Sequence, residues 1–251
     1  MSGHSKWASI KHKKGALDAK RGKIFTRIAR DIAVAAREGG GDESMNPRLK
    51  LAIFKAKAAN MPKDNIDRAI QRGTGKGDDL IIMDEVTYEG YGPDGVAILV
   101  DTLTDNKNRT VNDVKRLFNK AGGSMASAGS VAWQFEQKGY IELEGAGVDF
   151  DTLFMTAAEA GADDLVSEDD LIAVYTPCEQ FGAVESALTA AGYAISDSSL
   201  KWVAKIESEI GAEKAVQNMR LMSDLEELDD VQSVASNLAI TDAVMEAFEN
   251  A

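Results

Sequence analysis

"LIAVYTPCEQFGAVESALTAAGYAISDSSLKWVA", residues 171–204, reads as a strand at 171–176, a helix at 178–191 and a strand at 193–203. The same units precede it in the same order: a strand at 139–143, a helix at about 150–160 and a strand at 163–167. A β-α-β-β-α-β succession is the ferredoxin-like arrangement, in which four antiparallel strands carry two helices on one face. This stretch therefore predicts a self-contained α+β unit over about residues 138–204.

The segment before it is incomplete by the same standard. "DEVTYEGYGPDGVAILVDTLTD" (84–105) reads as two strands about a Pro93-Asp94-Gly95 turn, the second at 95–103. "RTVNDVKRLFNKAGG" (109–123) reads as a helix capped by Thr110 and stopped at Gly122, and "SVAWQFEQKG" (130–139) as a further strand. A closing helix and strand are missing there, and the tail supplies them in "GAEKAVQNMRLMSDLEEL" (211–228) and "DDVQSVASNL" (229–238). The second domain is thus expected to be discontinuous, 79–137 plus 205–251, with the third, 138–204, inserted into it.

Residues 1–78 differ in pattern. From Lys20 to Arg37, Ile24, Phe25, Ile28, Ile32 and Ala35 fall on one side of a 3.6-residue helix, and Lys20, Lys23, Arg27, Arg30 and Arg37 on another stripe. A second helix starts at Asn46-Pro47, cap and first position, and carries Arg48, Lys50, Lys55 and Lys57 on two sides. A third runs from near Pro62 to Gly73. The fold class expected is α+β multidomain: an N-terminal three-helix bundle, then two ferredoxin-like α/β domains, the third inserted in the second.

Charge divides along the same boundary. The 251 residues carry a formal net charge of −13, yet residues 1–76 hold 18 Lys/Arg against 7 Asp/Glu, a net of +11, and the remainder carries −24. Such asymmetry points to a polyanionic partner for the basic part. The alternative is that the basic arm folds back onto the acidic body. The longest aliphatic run, Val96–Val100, is far too short to span a bilayer, and the basic opening lacks the apolar stretch of a signal peptide. One cysteine, Cys178, cannot pair internally, so a reducing, cytoplasmic setting is expected.

Four stretches carry a specific resemblance: "GHSKWASIKHKKGALDAKRGKIFTRIARDI" (3–32), "NPRLKLAIFKAKAANMPKDNIDRAIQRGTG" (46–75), "YEGYGPDGVAILVDTLTDNKNRT" (88–110) and "LDDVQSVASN" (228–237). They resemble the YebC family, whose mitochondrial members include the translational activator of cytochrome oxidase. The resemblance implies three domains, the second and third α/β. It also implies regulation of gene expression, described for some members as transcriptional through DNA and for others as translational, relieving stalled ribosomes.

The candidate nucleic-acid-binding residues are His4, Lys6, Trp7, Lys11, His12, Lys13, Lys14, Lys20, Arg21, Lys23, Arg27 and Arg30, cations for phosphates with an indole to stack on a base or pack on the bundle. Six neutralised phosphates would give a log–log salt slope of about −5. Asp105, Asn106, Asn108 and Arg109 form a candidate partner-contact loop between a strand and a helix start, against a plainer reading as turn and cap. "AGGSMASAGS" (121–130) is small enough to approach a phosphate or enter a partner's cavity, or to be a connector, but lacks a P-loop ending. The acidic run Asp224, Glu226, Glu227, Asp229 and Asp230 has no metal-loop spacing and reads as a solvated helix end. Cys178 follows Pro177 at a helix start and is read as structural.

With two histidines, both in the basic arm, no catalytic set, metal site or cofactor is assigned. The sequence therefore points to a non-enzymatic regulator bound to the phosphate backbone of ribosomal RNA or DNA, with ribosomal proteins as further partners. A translation factor at the ribosome is the first reading and a DNA-binding transcriptional regulator the second. Neither a membrane nor a small-molecule substrate is expected.

Overall fold

The structure is a computed structural model that describes Trp7 and residues 17–75, 83–168 and 171–249, with the side chains of 17–21, 23 and 168 outside that description. From residue 17 three helices follow: α1 (Leu17–Gly39), α2 (Pro47–Ala58) and α3 (Lys63–Gly73). Ile28, Ile32, Ala35 and Ala36 recur every three or four residues on α1 and bury against Leu49, Ile53 and Ala56 of α2 and Ile66 and Ala69 of α3. Asn46 caps α2 as its sequence predicts, Oδ1 accepting from the Leu49 N–H at 3.0 Å. Its Nδ2 donates to the carbonyls of Ala35 and Gly40, at 2.7 and 2.8 Å, so one buried amide also closes the α1–α2 turn. At Gly73 a Cβ would stand 2.1 Å from the Ala33 carbonyl oxygen, so α1 and α3 meet backbone to backbone there.

The chain then gives β1 (Asp84–Tyr91), β2 (Ala97–Thr104), α4 (Lys107–Lys120) and β3 (Ser124–Ala126). It continues through β4 (Phe135–Glu144), α5 (Phe150–Glu159), β5 (Asp164–Glu168), β6 (Leu171–Thr176), α6 (Phe181–Ala190) and β7 (Ile195–Ala204). It ends with α7 (Ala212–Glu226), β8 (Val231–Ser236) and α8 (Asp242–Glu249). The strands form two sheets, ordered β3-β1-β2-β8 and β5-β6-β4-β7, with antiparallel neighbours throughout. The second sheet is the split β-α-β order expected for the ferredoxin-like unit. The first is built around the central β1–β2 hairpin, with its edge strands drawn from 124–126 and from the tail.

β2 explains its own continuous apolar run. Ile98 and Val100 face α4 and α7, packing with Val114, Phe118, Met219 and Leu225. Ala97 and Leu99 face the opposite way, onto Val131, Phe135 and Ala235, with Trp202 of β7 alongside. A strand covered on both faces needs no polar alternation. In the second sheet, Ile141, Leu143, Ile172 and Val174 bury against Leu153 of α5 and Val184 and Leu188 of α6.

Several elements differ from expectation for identifiable reasons. "SVAWQFEQKG" is not a separate strand: residues 132–134 form a 3₁₀ turn, and β4 then runs unbroken from Phe135 into the stretch predicted as 139–143. The Glu89 carboxylate causes the turn, accepting N–H groups from Gly129, Val131 and Ala132 at 2.6, 2.7 and 3.0 Å. Burial would raise the Glu89 pKa, but these backbone donors outweigh it and hold the group below its ordinary value. The small-residue loop 121–130 therefore supplies edge strand β3 and, through Gly129, begins a nest of amides that Val131 and Ala132 complete and the protein's own carboxylate fills. Helix α4 begins four residues early because Asn106, not Thr110, caps it, and α6 begins at Phe181 rather than beside Cys178. Helix α8 was not foreseen; its Val244 and Phe248 complete the first core.

Glu89→Ala strands three inward-facing amides and should lower stability by about 1–3 kcal/mol. Urea denaturation midpoints check this; an unchanged midpoint would mean that the loop holds itself.

Candidate nucleic-acid interface

The cations of α1 have two destinations. Arg27 and Arg30, three residues apart, project onto the chain just after α7. Arg27 Nη2 donates to the carbonyls of Glu226 and Leu228, the latter at 3.2 Å. Arg30 Nη1 donates to the Asp229 carbonyl at 2.7 Å and to Asp230 Oδ1 at 3.0 Å. A helix C-terminus leaves carbonyls unpaired and carries partial negative charge, so two guanidinium groups complement it in direction as well as sign.

Asp230 is the centre of this contact. It is 6% exposed and accepts from Arg30, from Arg109 Nη2 at 2.7 Å, from Thr110 Oγ1 at 2.7 Å and from Thr104 Oγ1 at 3.2 Å. Burial acts to raise its pKa, but bonds from Arg109 and Thr110 and the charges of Arg109 and Arg30 prevail and hold it low. The solvated helix end expected for the acidic run is thus corrected at Asp230: it is a buried junction, because three segments bring it donors.

The sequence-predicted residues sort as follows. His4, Lys6, Lys11, His12, Lys13 and Lys14 lie outside the described residues, and of Lys20, Arg21 and Lys23 the structure gives only a helical backbone. Trp7 is buried, its ring edge-on to Phe248 at 6.3 Å and its Nε1 donating to Glu226 Oε1 at 3.3 Å. It packs in the core around α7 and α8. Arg27 and Arg30 are engaged with the acidic segment, so this part of the basic stripe does fold onto the body. In the loop, Asn106 is the α4 cap, accepting from the Arg109 N–H at 3.1 Å. Asp105 accepts from Arg109 Nη2 at 2.8 Å, and Asn108 is exposed. Arg30 from the arm and Arg109 from the loop meet on one carboxylate. Cys178 is half-buried, its Sγ 3.1 Å from the Gln137 carbonyl.

Sequence reasoning passed over Arg68 and Arg72 of α3, which the fold brings opposite two cations of α1. A cavity of about 360 Å³ lies between α1 and α3, with Arg30 and Arg37 on one side and Arg68 and Arg72 on the other. The signal was the spacing, seven residues on α1 and four on α3, which places each pair on one helical face. A larger cleft, about 1190 Å³, separates the helices from both sheets. It holds Lys201, whose Nζ lies 3.0 Å from Asp197 Oδ2 and 3.3 Å from the Tyr140 ring centre. The Tyr140 hydroxyl donates to Glu142 at 2.7 Å. Burial pushes Lys201 down and Tyr140 up. These groups partner one another, an arrangement suited to holding β4 and β7 in register.

Three helices carrying the cations, fixed to one end of a pair of α+β layers, define an α+β protein with one basic and two acidic parts. Residues 5–76 match the family described as "TACO1/YebC protein N-terminal domain", and 83–238 match "TACO1/YebC second and third domain"; the chain belongs to the TACO1/YebC family. It is 50% identical over 246 residues to a "Probable transcriptional regulatory protein" of Trichlorobacter lovleyi, covering 98% of this chain and 99% of that one. A protein of the same description from Desulforapulum autotrophicum is 50% identical over 249 residues, covering 98% and 100%. A crystal structure of a conserved hypothetical protein from Aquifex aeolicus superposes with a TM-score of 0.89 at 42% identity, over 94% of this chain and 98% of that chain. Among the described residues, no helix is long and apolar enough to cross a membrane.

Two carboxylates should respond to pH with opposite sign. Asp230, held low when folded, stabilises above the ordinary carboxylate pKa of about 3.9, and that contribution is lost as pH falls through its folded value. Asp230→Asn should therefore cost about 1–3 kcal/mol at neutral pH, with the difference from wild type closing below about pH 4. Asp31, in the large cleft, is pushed up to about 6 by burial, which Lys55 and Arg48 offset only in part. A raised carboxylate gives stability present below about pH 4 and lost as pH rises through 6, so Asp31→Asn should stabilise at pH 8 and not at pH 4. Urea midpoints of both variants across that range check the two signs.

Proposed function

We propose that the chain is a non-enzymatic, cytosolic regulator of gene expression that holds nucleic acid through its basic helical part, within three domains of which the third is inserted in the second. The observation that carries this reading is the segregation of charge: a net of +11 over residues 1–76 against −24 over the rest. A chain meant only to be soluble gains nothing from that division, whereas a polyanion ligand is drawn to one end and repelled from the other.

The structured RNA of the ribosome is the partner we favour. Acidic layers directly behind the basic helices oppose contact along an extended duplex and suit insertion at one defined place. The second reading, DNA, is favoured by the relatives' printed description as probable transcriptional regulatory proteins. Arg27 acts in docking and Arg30 is shared with Asp230, so phosphate contact falls mainly to the arm cations, to Arg37 at the far end of α1, to the candidate loop where it is exposed, and to the cations of α2 and α3.

Co-sedimentation from lysate, with nuclease that removes DNA and spares ribosomes, separates the readings. Wild type should remain in the ribosomal fraction, and a variant with Lys13, Lys14 and Lys23 changed to Glu should leave it with its melting temperature unchanged. Release of wild type by the nuclease would transfer the function to DNA. Wild type that associates with neither fraction at low salt would end the nucleic-acid reading.

A further inference from the structure

We propose that the cavity between α1 and α3 is a site for single-stranded nucleic acid, taking one turned-out base on its apolar floor with the flanking phosphates on its arginine rims. This rests on the reading above and adds a place and a form of ligand to it.

The rims are built for phosphate. Arg30 and Arg37 stand two turns apart on α1, and Arg68 and Arg72 one turn apart on α3, facing one another across the cavity. Among the described residues, the sole carboxylate in its lining is Asp105. The bonds of Arg37 go to the Met83 carbonyl at 3.0 Å, and those of Arg68 to the Asp64 carbonyl at 3.1 Å and to the Asn65 amide oxygen. These acceptors are neutral, so they orient Arg37 and Arg68 without cancelling their charge, whereas Arg30 is shared with the Asp230 carboxylate.

The floor is built for something apolar. Ala33, Val34, Ala69 and Met83 form it, with Phe25 among the lining. Small residues keep it recessed: α1 and α3 are in backbone contact at Ala33 and Gly73, while the arginines rise on either side. At about 360 Å³ the space is near the lower end of the roughly 300–1,000 Å³ that ligand pockets span. A duplex shows a convex phosphate ridge and keeps its bases stacked inside, so an apolar concavity between cations has nothing to receive from it. An unpaired base offers a π-face to the floor and to guanidinium planes, and its backbone places a phosphate on each side.

The test uses the full chain, fluorescence anisotropy, and two probes: a short unstructured RNA strand and a duplex of equal length. Arg68 and Arg72 are exposed, so the double variant R68E/R72E should keep the wild-type melting temperature. It should bind the single strand about tenfold or more weakly, with the log–log salt slope reduced by roughly one to one and a half, and the duplex less than about twofold more weakly. A K13E/K14E variant serves as the reference and should weaken both probes. Equal loss on both probes with R68E/R72E would overturn the groove and leave nucleic-acid binding standing. So would unchanged affinity for both. Wild type binding neither probe would overturn both proposals. Photocrosslinking of a thiouridine-bearing strand to wild type gives an independent reading: adducts on α1 or α3 support the site, and adducts confined elsewhere refute it.

Discussion

A carboxylate that is 6% exposed must find donors for both oxygens or lose its charge, and the way Asp230 meets that requirement organises the molecule. Its donors come from the end of β2, the start of α4 and the middle of α1. One side chain after α7 therefore ties together the end of the hairpin, the first turn of the next helix and the basic helices. The diffuse attraction between a front of +11 and a body of −24 could not do this, since surface charges in physiological salt are screened beyond about 8 Å. Desolvation and directional bonds turn a general attraction into one docking geometry.

That geometry divides the basic stripe of α1. The cations nearest α7 are consumed by its carbonyls and by Asp230, while Arg37, farther along the helix, bonds to the Met83 carbonyl beside α3. The choice between a solvent-facing arm and an arm folded on the acidic body is thus answered residue by residue. Trp7 belongs to the docked share: its indole and Arg27 both reach Glu226, one by the carboxylate and the other by the carbonyl.

What the sequence displayed were features whose causes are local. Asn46-Pro47 caps α2 because a side-chain oxygen three residues from an amide is a local fact, and the Pro93-Asp94-Gly95 turn holds because Asp94 and Gly95 take left-handed φ of 56° and 76°. The two-fold succession of strand, helix and strand gave the second sheet for the same reason. Features made by distant partners stayed hidden. Glu89 reaches amides 40 to 43 positions away, and nothing in "YEGYG" says that its carboxylate will wind residues 129–132 into a turn. Asp230 sits in a run of acids that looks solvated, and only the fold shows which one is buried. Of the groove cations, Arg30 and Arg37 stood on the stripe legible in α1, but Arg68 and Arg72 drew no reading, so the facing of the two pairs across α1 and α3 stayed hidden.

Arg30 belongs to both halves of this picture, bonded to Asp230 while it lines the cavity between α1 and α3. Its side chain is 22% exposed, and a guanidinium presents five N–H donors in a fixed plane, enough to serve one anion on each side. A phosphate in the cavity and the Asp230 carboxylate then share one cation. If a bound phosphate draws Arg30 away, the docking of α1 loosens, and if Arg30 bridges the two, the docking tightens. By linkage the effect is reciprocal: whatever occupancy does to the docking contact, the docking contact does to affinity by the same factor. On the proposed site, the position of one arginine would couple ligand binding at the basic end to the attachment of the acidic layers.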